Sequence, residues 1–130
     1  MFALPAVSWS TTRRSAGHLW LSEVVATAGL VAVVFALART GRAALAAAAV
    51  GGYIAAAYFF TASTSFANPA VTIARAFTDT FAGIAPASVA GYLLAQVGGA
   101  AVGTFTVRLL YPGVEVAAEA VVVRPSGRAG

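Results

Sequence analysis

The chain alternates long apolar stretches with short polar interruptions. Residues 19–38 contain one acid, Glu23, and no base. After a short turn with Arg39 and Arg42, residues 43–62 contain no charged residue. A third apolar stretch, 86–110, begins at a proline, which the first turn of a helix accepts because the missing N–H has no helical partner there. Twenty helical residues rise by about 30 Å, the thickness of the hydrocarbon layer of a bilayer. The pattern therefore predicts an all-α membrane protein with three transmembrane helices.

Between the second and third stretches lies a segment that is too polar to span a membrane and too apolar to be an exposed loop. It contains the run SFANPAV at residues 65–71. Asn68 is a preferred N-cap residue and Pro69 suits the first helical position, so the pair predicts a helix over 68–77. Ten residues rise by about 15 Å, half a bilayer. We expect residues 63–67 to enter the membrane as extended chain and this half-helix to return to the side of entry, buried in protein or lining a wet cavity.

The N-cap position gives Asn68 a defined chemistry. Its side-chain oxygen can accept a backbone N–H of the first turn, which leaves the amide NH2 as a rigid donor for a small neutral solute. The half-helix also directs the positive end of its dipole, about half a charge, toward mid-membrane, where it repels cations and protons. A bare Asn-Pro-Ala tripeptide is more simply explained as a loop before an interfacial helix. Its position between two spans, its half-membrane length and the hydroxyl-rich stretch before it favour a pore-lining segment.

Composition excludes several other classes of protein. The 130 residues are 60% hydrophobic and only 9% charged, against about 25% charged in soluble domains. All eight basic residues are arginines, and they are scattered rather than clustered, so we expect no nucleic-acid partner. The chain has no cysteine and one histidine, and it lacks a nucleophile with its base, a phosphate-binding loop and metal-ligand spacing. We therefore expect neither an enzyme nor a cofactor or metal.

The charges also predict a domain organisation and a topology. Residues 1–18 are expected to form an extracytoplasmic loop at the membrane interface, 19–110 the membrane domain, and 111–130 a cytoplasmic tail. Basic residues collect on the cytoplasmic side of membranes. Five arginines against two or three on the other side place the C-terminus in the cytoplasm: Arg39, Arg42, Arg108, Arg124 and Arg128.

Three features of the sequence resemble one known family. ANPAVTIARAFTDTFAGIAP is similar to the second Asn-Pro-Ala loop of the major intrinsic proteins, the aquaporins and aquaglyceroporins, and Gln96 with the two glycines at 98 and 99 resembles a pattern of their sixth helix. Glu23 resembles the buried acid of their fourth helix, whose partner is loop backbone; a proton-relay acid is the alternative. The resemblance implies the C-terminal half of an aquaporin-like right-handed bundle, with Asn68, Pro69 and Ala70 lining a pore for small neutral solutes.

One position departs from the family's pattern. Most members carry arginine directly after this Asn-Pro-Ala, on the charged side of the selectivity filter, and here that position holds Val71. By the family's spacing, the other filter positions are Ala56 and Ser65, which are both small. Water, glycerol and metalloid acids such as arsenous acid are the candidate solutes, and ANPAVTIAR resembles a bacterial subgroup associated with arsenic resistance, which implies the bacterial inner membrane. Arg75 either replaces part of the missing charge at the mouth or pairs with Asp79 four residues later.

One half of such a bundle cannot enclose a pore. The resemblance implies, besides membrane lipids and a small neutral solute, an N-terminal half-channel or an oligomer as partner. The arginine bias disfavours an antiparallel homodimer, and a separately encoded half is the better alternative. Because residue 1 falls where the family leaves its third helix, a truncated and nonfunctional channel fragment stays open, as does a small membrane interaction protein whose half-helix only packs.

Overall fold

The computed structural model describes residue 5 and residues 7–112, and in this part of the chain every regular element is helical. A short 3-10 turn at Ala43–Leu45 leads into the second helix. No strand is present among the described residues, which confirms the all-α class. The four α-helices are α1 (Gly17–Arg39), α2 (Ala46–Phe60), α3 (Pro69–Arg75) and α4 (Pro86–Leu110).

Three of these elements are long and apolar enough to cross a membrane, namely Gly17–Arg39, Ala43–Phe60 and Pro86–Leu110. The third has the predicted bounds. The second ends at Phe60 and not at 62, because Thr61 turns into extended backbone with φ −105° and ψ 135°. The chain is therefore a multi-pass membrane protein by the composition and length of its helices.

Helices α1 and α4 run parallel and pack closely through glycines. A Cβ atom built at Gly99 would lie 2.6 Å from the carbonyl oxygen of Val24, and one at Gly103 would lie 2.7 Å from that of Ala28. Both distances are far below a normal contact, so only glycine lets the two backbones approach this far. This contact brings the buried side chains of α1 and α4 within hydrogen-bonding reach of each other.

Helix α2 returns alongside α1. The reversal uses Gly41, whose φ of +69° belongs to the left-handed region, and the hydroxyl of Tyr53 then donates to the carbonyl oxygen of Ala26 at 2.9 Å. Ala57 is the one fully buried residue of α2. Apart from the face that holds Tyr53 and Ala57, most of α2 is exposed and faces lipid or a further protein surface.

Residues 8–14, which we name the strap, lie across the C-terminal end of the half-helix α3. The backbone N–H groups of Ser8 and Ser10 donate to the carbonyls of Phe77 and Ala76, and Ala85 N–H donates to the carbonyl of Thr12. The strap thus joins the start of α1, the end of α3 and the start of α4 at one end of the bundle, which we name the strap end. The predicted tail lies outside the described residues from position 113 onward.

Candidate functional site

Asn68 caps α3 as its sequence position predicts. Its side-chain oxygen accepts the N–H groups of Ala70 at 2.8 Å and Val71 at 3.4 Å, and Pro69 occupies the first turn. The amide nitrogen makes no hydrogen bond to the described part of the chain. Asn68, Pro69 and Ala70 are all exposed. The cap therefore holds the side chain in one orientation and leaves an NH2 group free at an open face of the molecule.

The half-helix is shorter than predicted. It ends at Arg75 and not at residue 77, because Ala76 and Phe77 donate to carbonyls three residues back, at Ile73 and Ala74, in a tightened last turn. Seven residues rise by about 10 Å. The segment still returns to the strap end, since residues 76 and 77 bind the strap there.

The approach to Asn68 is a buried and strained stretch of backbone. Thr64, Ser65 and Ala67 have φ values of 63°, 46° and 48°. These values lie in the left-handed region, which residues other than glycine rarely adopt. Each such residue costs about 1–3 kcal/mol, so the surrounding contacts must hold the loop in place. The side chains of this stretch are nearly all buried. The loop is therefore part of the protein core, as non-helical backbone at membrane depth requires.

Glu23 supplies the main contacts that hold this loop. Its two carboxylate oxygens accept the backbone N–H groups of Phe66 and Ala67, each at 2.9 Å, and the side chain is 0% exposed. Loop backbone is the partner that the family resemblance implies for this acid. Because the acceptor is charged and the donors are fixed, these hydrogen bonds are stronger than neutral ones. They offset part of the strain in the adjacent left-handed residues.

A chain of hydrogen bonds extends from Glu23 to the cap. Gln96 on α4 donates from Nε2 to Glu23 Oε2 at 2.9 Å and to Thr72 Oγ1 at 2.7 Å, and Thr72 Oγ1 donates to the carbonyl of Asn68 at 3.0 Å. Gln96 follows Pro86 by ten residues, about 15 Å along the axis, close to the midpoint of this 25-residue helix. The cap therefore lies beside the middle of α4 and not at its end.

The three residues that the family resemblance predicts for the filter have different environments. Ser65 is 2% exposed and its hydroxyl has no partner among the described residues, whereas Val71 is half-buried in the first turn of α3. Both belong to the same re-entrant unit as Asn68. Ala56 lies on an exposed part of α2, one turn before its end. The set combines one hydroxyl with two small or aliphatic side chains and no charge.

Arg75 does not pair with Asp79, so that alternative was wrong. The carboxylate of Asp79 accepts the backbone N–H and the hydroxyl of Thr11, at 2.9 and 3.0 Å, because the helix has ended and the acid lies beside the strap. The guanidinium carbon of Arg75 instead lies 4.3 Å from the ring centroid of Phe66, in cation–π geometry. Its Nη1 atom is buried and has no hydrogen-bond partner in the part of the chain that the structure describes.

Sequence reasoning missed Arg14, which it treated only as a topology charge. The side chain is 7% exposed and donates to the carbonyls of Gly83 at 2.9 Å and Phe81 at 2.7 Å. These partners lie 67 to 69 residues away along the chain. No local spacing distinguishes Arg14 from the exposed Arg13 beside it, so the pattern held no signal for its burial.

Within residues 5 and 7–112, no three histidine, cysteine, aspartate or glutamate side chains lie close enough to hold a metal ion. The polar side chains of the site are instead amides, hydroxyls and one carboxylate occupied by backbone donors. Such groups orient a loop and offer hydrogen bonds, and none of them is paired as a nucleophile with its base.

Comparison with known proteins agrees with this architecture. Residues 40–129 match the major intrinsic protein domain. Over 100 aligned residues the chain is 52% identical to the aquaglyceroporin AqpS of Rhizobium meliloti (strain 1021). The aligned region covers 77% of this chain and 42% of that relative. No solved structure matches the chain. The chain belongs to the major intrinsic protein family of membrane channels and corresponds to the C-terminal half of such a channel.

Proposed function

We propose that the chain forms one half of a pore for the passive permeation of small neutral solutes. The observation that carries the proposal is the state of Asn68, whose oxygen is committed to the half-helix while its NH2 group stays free and exposed. A fixed donor near mid-length of the spans can replace one hydrogen bond that a solute loses when it leaves water. The positive end of the α3 dipole at the same place repels cations.

The walls beside Asn68 suit a partly apolar solute. Ala56 and Val71 offer only small or aliphatic surface, while the hydroxyl of Ser65 is buried in the loop. A filter without an arginine is less polar than one with it, and this favours glycerol or an uncharged metalloid acid such as arsenous acid in addition to water. The printed name of the Rhizobium relative, an aquaglyceroporin, agrees with a solute of the glycerol class. Arg75 contributes a positive charge farther along the same half-helix.

A complementary wall must complete the pore. The chain spans less than half the length of the relative that it matches, and the exposed faces of α2 and of the Asn-Pro-Ala turn are the surfaces available to that wall. We propose that three further spans and a second half-helix cover them, supplied by another polypeptide segment or by an oligomer. The relative's bacterial origin favours the inner membrane as the site of action.

Stopped-flow light scattering of liposomes tests the proposal. The chain is reconstituted alone and together with the part of the Rhizobium aquaglyceroporin that precedes the matched region, and shrinkage and swelling are followed with water, glycerol and arsenous acid. We expect the pair to raise solute permeability. Asn68→Ala should lower it by about tenfold, which equals the loss of a hydrogen bond of about 1.4 kcal/mol in the barrier.

Two further variants separate the cap from the donor. Asn68→Ser keeps a capping oxygen and a donating hydroxyl, so it should retain part of the flux, whereas Asn68→Asp keeps the cap and loses the NH2 donor. If the pair conducts solute and Asn68→Ala leaves the solute permeability unchanged, the proposed role of the amide is refuted. A stable complex with no flux would support a packing role for the half-helix, and neither complex nor flux would support a nonfunctional fragment.

A further inference from the structure

Arg14 is a buried arginine outside the long helices, and its donors bind three separate carbonyls. Nε donates to Gly83 at 2.9 Å, Nη2 to Phe81 at 2.7 Å, and Nη1 reaches Ser63 at a longer 3.5 Å. The backbone N–H of the same residue donates to the hydroxyl of Ser88 at 3.0 Å. One side chain thus joins the re-entrant loop, through Ser63, to the connection that leads into α4.

The charge of this guanidinium is not neutralised by an acid. In the range 7–112, no carboxylate forms an ion pair with Arg14, and its hydrogen-bond acceptors are all neutral. Glu23, the buried acid of the site, is occupied by two loop N–H groups and by Gln96. A charge held by neutral dipoles in a low-dielectric core acts over a longer range than the same charge in water.

Arg14 also lies close to the loop that leads to Asn68. Its guanidinium carbon is 5.5 Å from the ring centroid of Phe66, two residues before the cap. Arg75 lies over the same ring, but within residues 7–112 its buried Nη1 has no hydrogen-bond partner, whereas Arg14 donates to carbonyls of two loops. Of the two arginines beside Phe66, Arg14 is therefore the one whose guanidinium joins separate segments.

We propose that Arg14 is a positioning and specificity-determining residue of the pore at the strap end. It holds the loop at Ser63 against residues 81–83, and it supplies a fixed positive charge 5.5 Å from the ring centroid of Phe66, in the loop that leads to Asn68 and Val71. This inference rests on the proposed function, because it assigns Arg14 a place in the same solute pathway. Its guanidinium comes from the strap and not from the half-helix.

The positioning role is tested by amide hydrogen exchange of the full chain in liposomes. The reporters are Ile84 and Ala85, whose N–H groups donate to Arg75 and to Thr12. Arg14→Gln should speed their exchange by about tenfold or more, because loss of the guanidinium frees the 81–83 connection to open locally. Exchange equal to that of the wild type would overturn the positioning role. Arg13→Gln is the matched control, since the side chain of Arg13 is exposed, and it should leave the exchange of both amides unchanged.

The charge is tested with a thiol probe, which the absence of cysteine from the chain makes selective. In a Val71→Cys background, rates of modification by an anionic sulfonatoethyl and a cationic trimethylammonioethyl methanethiosulfonate are compared. Arg14→Gln should lower the anion-to-cation rate ratio by about fivefold or more, since a nearby unit charge affects the two reagents in opposite directions. Arg14→Lys should restore the ratio but not the slow exchange, because an ammonium group cannot span the carbonyls as a planar guanidinium does.

The two readouts distinguish this inference from the proposed function, because neither requires solute flux. A purely structural role for Arg14 would change both reagent rates in parallel and leave their ratio constant, which would overturn the charge role. If liposomes with the completed pore pass no solute although both Arg14 effects are present, the proposed solute pathway is refuted. The specificity role of Arg14 is then refuted as well, but its positioning of the loop is still supported. Should solute pass with neither effect present, the inference about Arg14 is refuted alone.

Discussion

Gln96 on α4 donates its side-chain amide to Glu23 on α1 at 2.9 Å, and the two side chains are 1% and 0% exposed. The same nitrogen also donates to Thr72 on the half-helix. One buried amide therefore connects two long helices and the re-entrant segment. Because each of these groups has lost its contact with water, removing one partner leaves the others unsatisfied, and the stability of the site depends on all of them.

Glu23→Gln should destabilise the chain by about 1–3 kcal/mol. The substitution keeps the shape of the side chain but replaces one carboxylate oxygen with an NH2 group, which cannot accept the N–H of Phe66 or Ala67. Reversible unfolding in mixed micelles measures the loss, and exchange of these two amides should become faster. Thr106→Ala, which removes a hydroxyl bonded only within an exposed part of α4, is the control. Equal stability of the Glu23→Gln variant and the wild type would contradict this account of the loop.

Gln96→Leu and Thr72→Val should each destabilise the chain, and their effects should not add. Each change removes one end of the 2.7 Å hydrogen bond between the two residues, so the second substitution has less to lose. A double-mutant cycle in the same unfolding assay should give a coupling free energy of about 0.5–3 kcal/mol. Additive effects would show that the two side chains contribute independently and that the half-helix is held by other contacts.

Gly99→Ala and Gly98→Ala form a matched pair on neighbouring positions of α4. A Cβ at Gly99 would meet the carbonyl oxygen of Val24, whereas a Cβ at Gly98 has no atom within 4 Å. We expect Gly99→Ala to separate α1 from α4 and to destabilise the chain by about 1–3 kcal/mol. Gly98→Ala should be neutral or stabilising by up to about 1 kcal/mol, because alanine is the better helix former. Equal effects of the two substitutions in the unfolding assay would contradict the close helix contact.

Val71→Arg should make the completed pore more selective for water. The guanidinium would add bulk and charge at the proposed filter position, where the side chain is now aliphatic and half-buried. We expect the ratio of glycerol to water permeability to fall by about tenfold, which corresponds to an added barrier of about 1.4 kcal/mol for glycerol. Stopped-flow light scattering of liposomes that hold the chain and its complementary half measures both rates.

Val71→Leu serves as the control for that experiment, because leucine adds volume without charge. It should change the ratio far less than arginine does. If both variants retained the glycerol permeability of the wild type, residue 71 would not lie at the narrow part of the pathway.

Local sequence patterns predicted the elements of the fold well. Hydropathy and length are properties of contiguous residues, and they predicted the long helices, the third of them over about residues 86–110, where the structure has Pro86–Leu110. The cap at Asn68 was also predictable, since an N-cap side chain binds the N–H groups two and three residues ahead of it. The ends of α2 and α3 were less predictable, because the extended Thr61 and the tightened turn after Arg75 depend on the loops that follow.

The pairing of charged side chains was not predictable from spacing. The i,i+4 pattern favoured a pair between Arg75 and Asp79. In the structure the carboxylate of Asp79 instead accepts hydrogen bonds from Thr11 of the strap, and the guanidinium of Arg75 lies over the ring of Phe66. Thr11 lies 68 residues from Asp79 in the chain, and Phe66 belongs to the loop that precedes the helix of Arg75, so neither partner lies on the same helix face. A periodic pattern holds information about one helix face and none about which distant segment covers it.

By itself, the sequence determined that this chain has three helices long and apolar enough to cross a membrane, that a capped half-helix lies between the second and the third, and which family it resembles. These features were predictable because apolar length and capping chemistry act between near neighbours. Only the tertiary structure decided that Glu23, Gln96 and Thr72 form one network and that Arg14 is buried against distant carbonyls. The physical reason is that a buried polar group must find partners wherever the packed helices place them. In this chain those partners lie on other elements, 24 to 73 residues away.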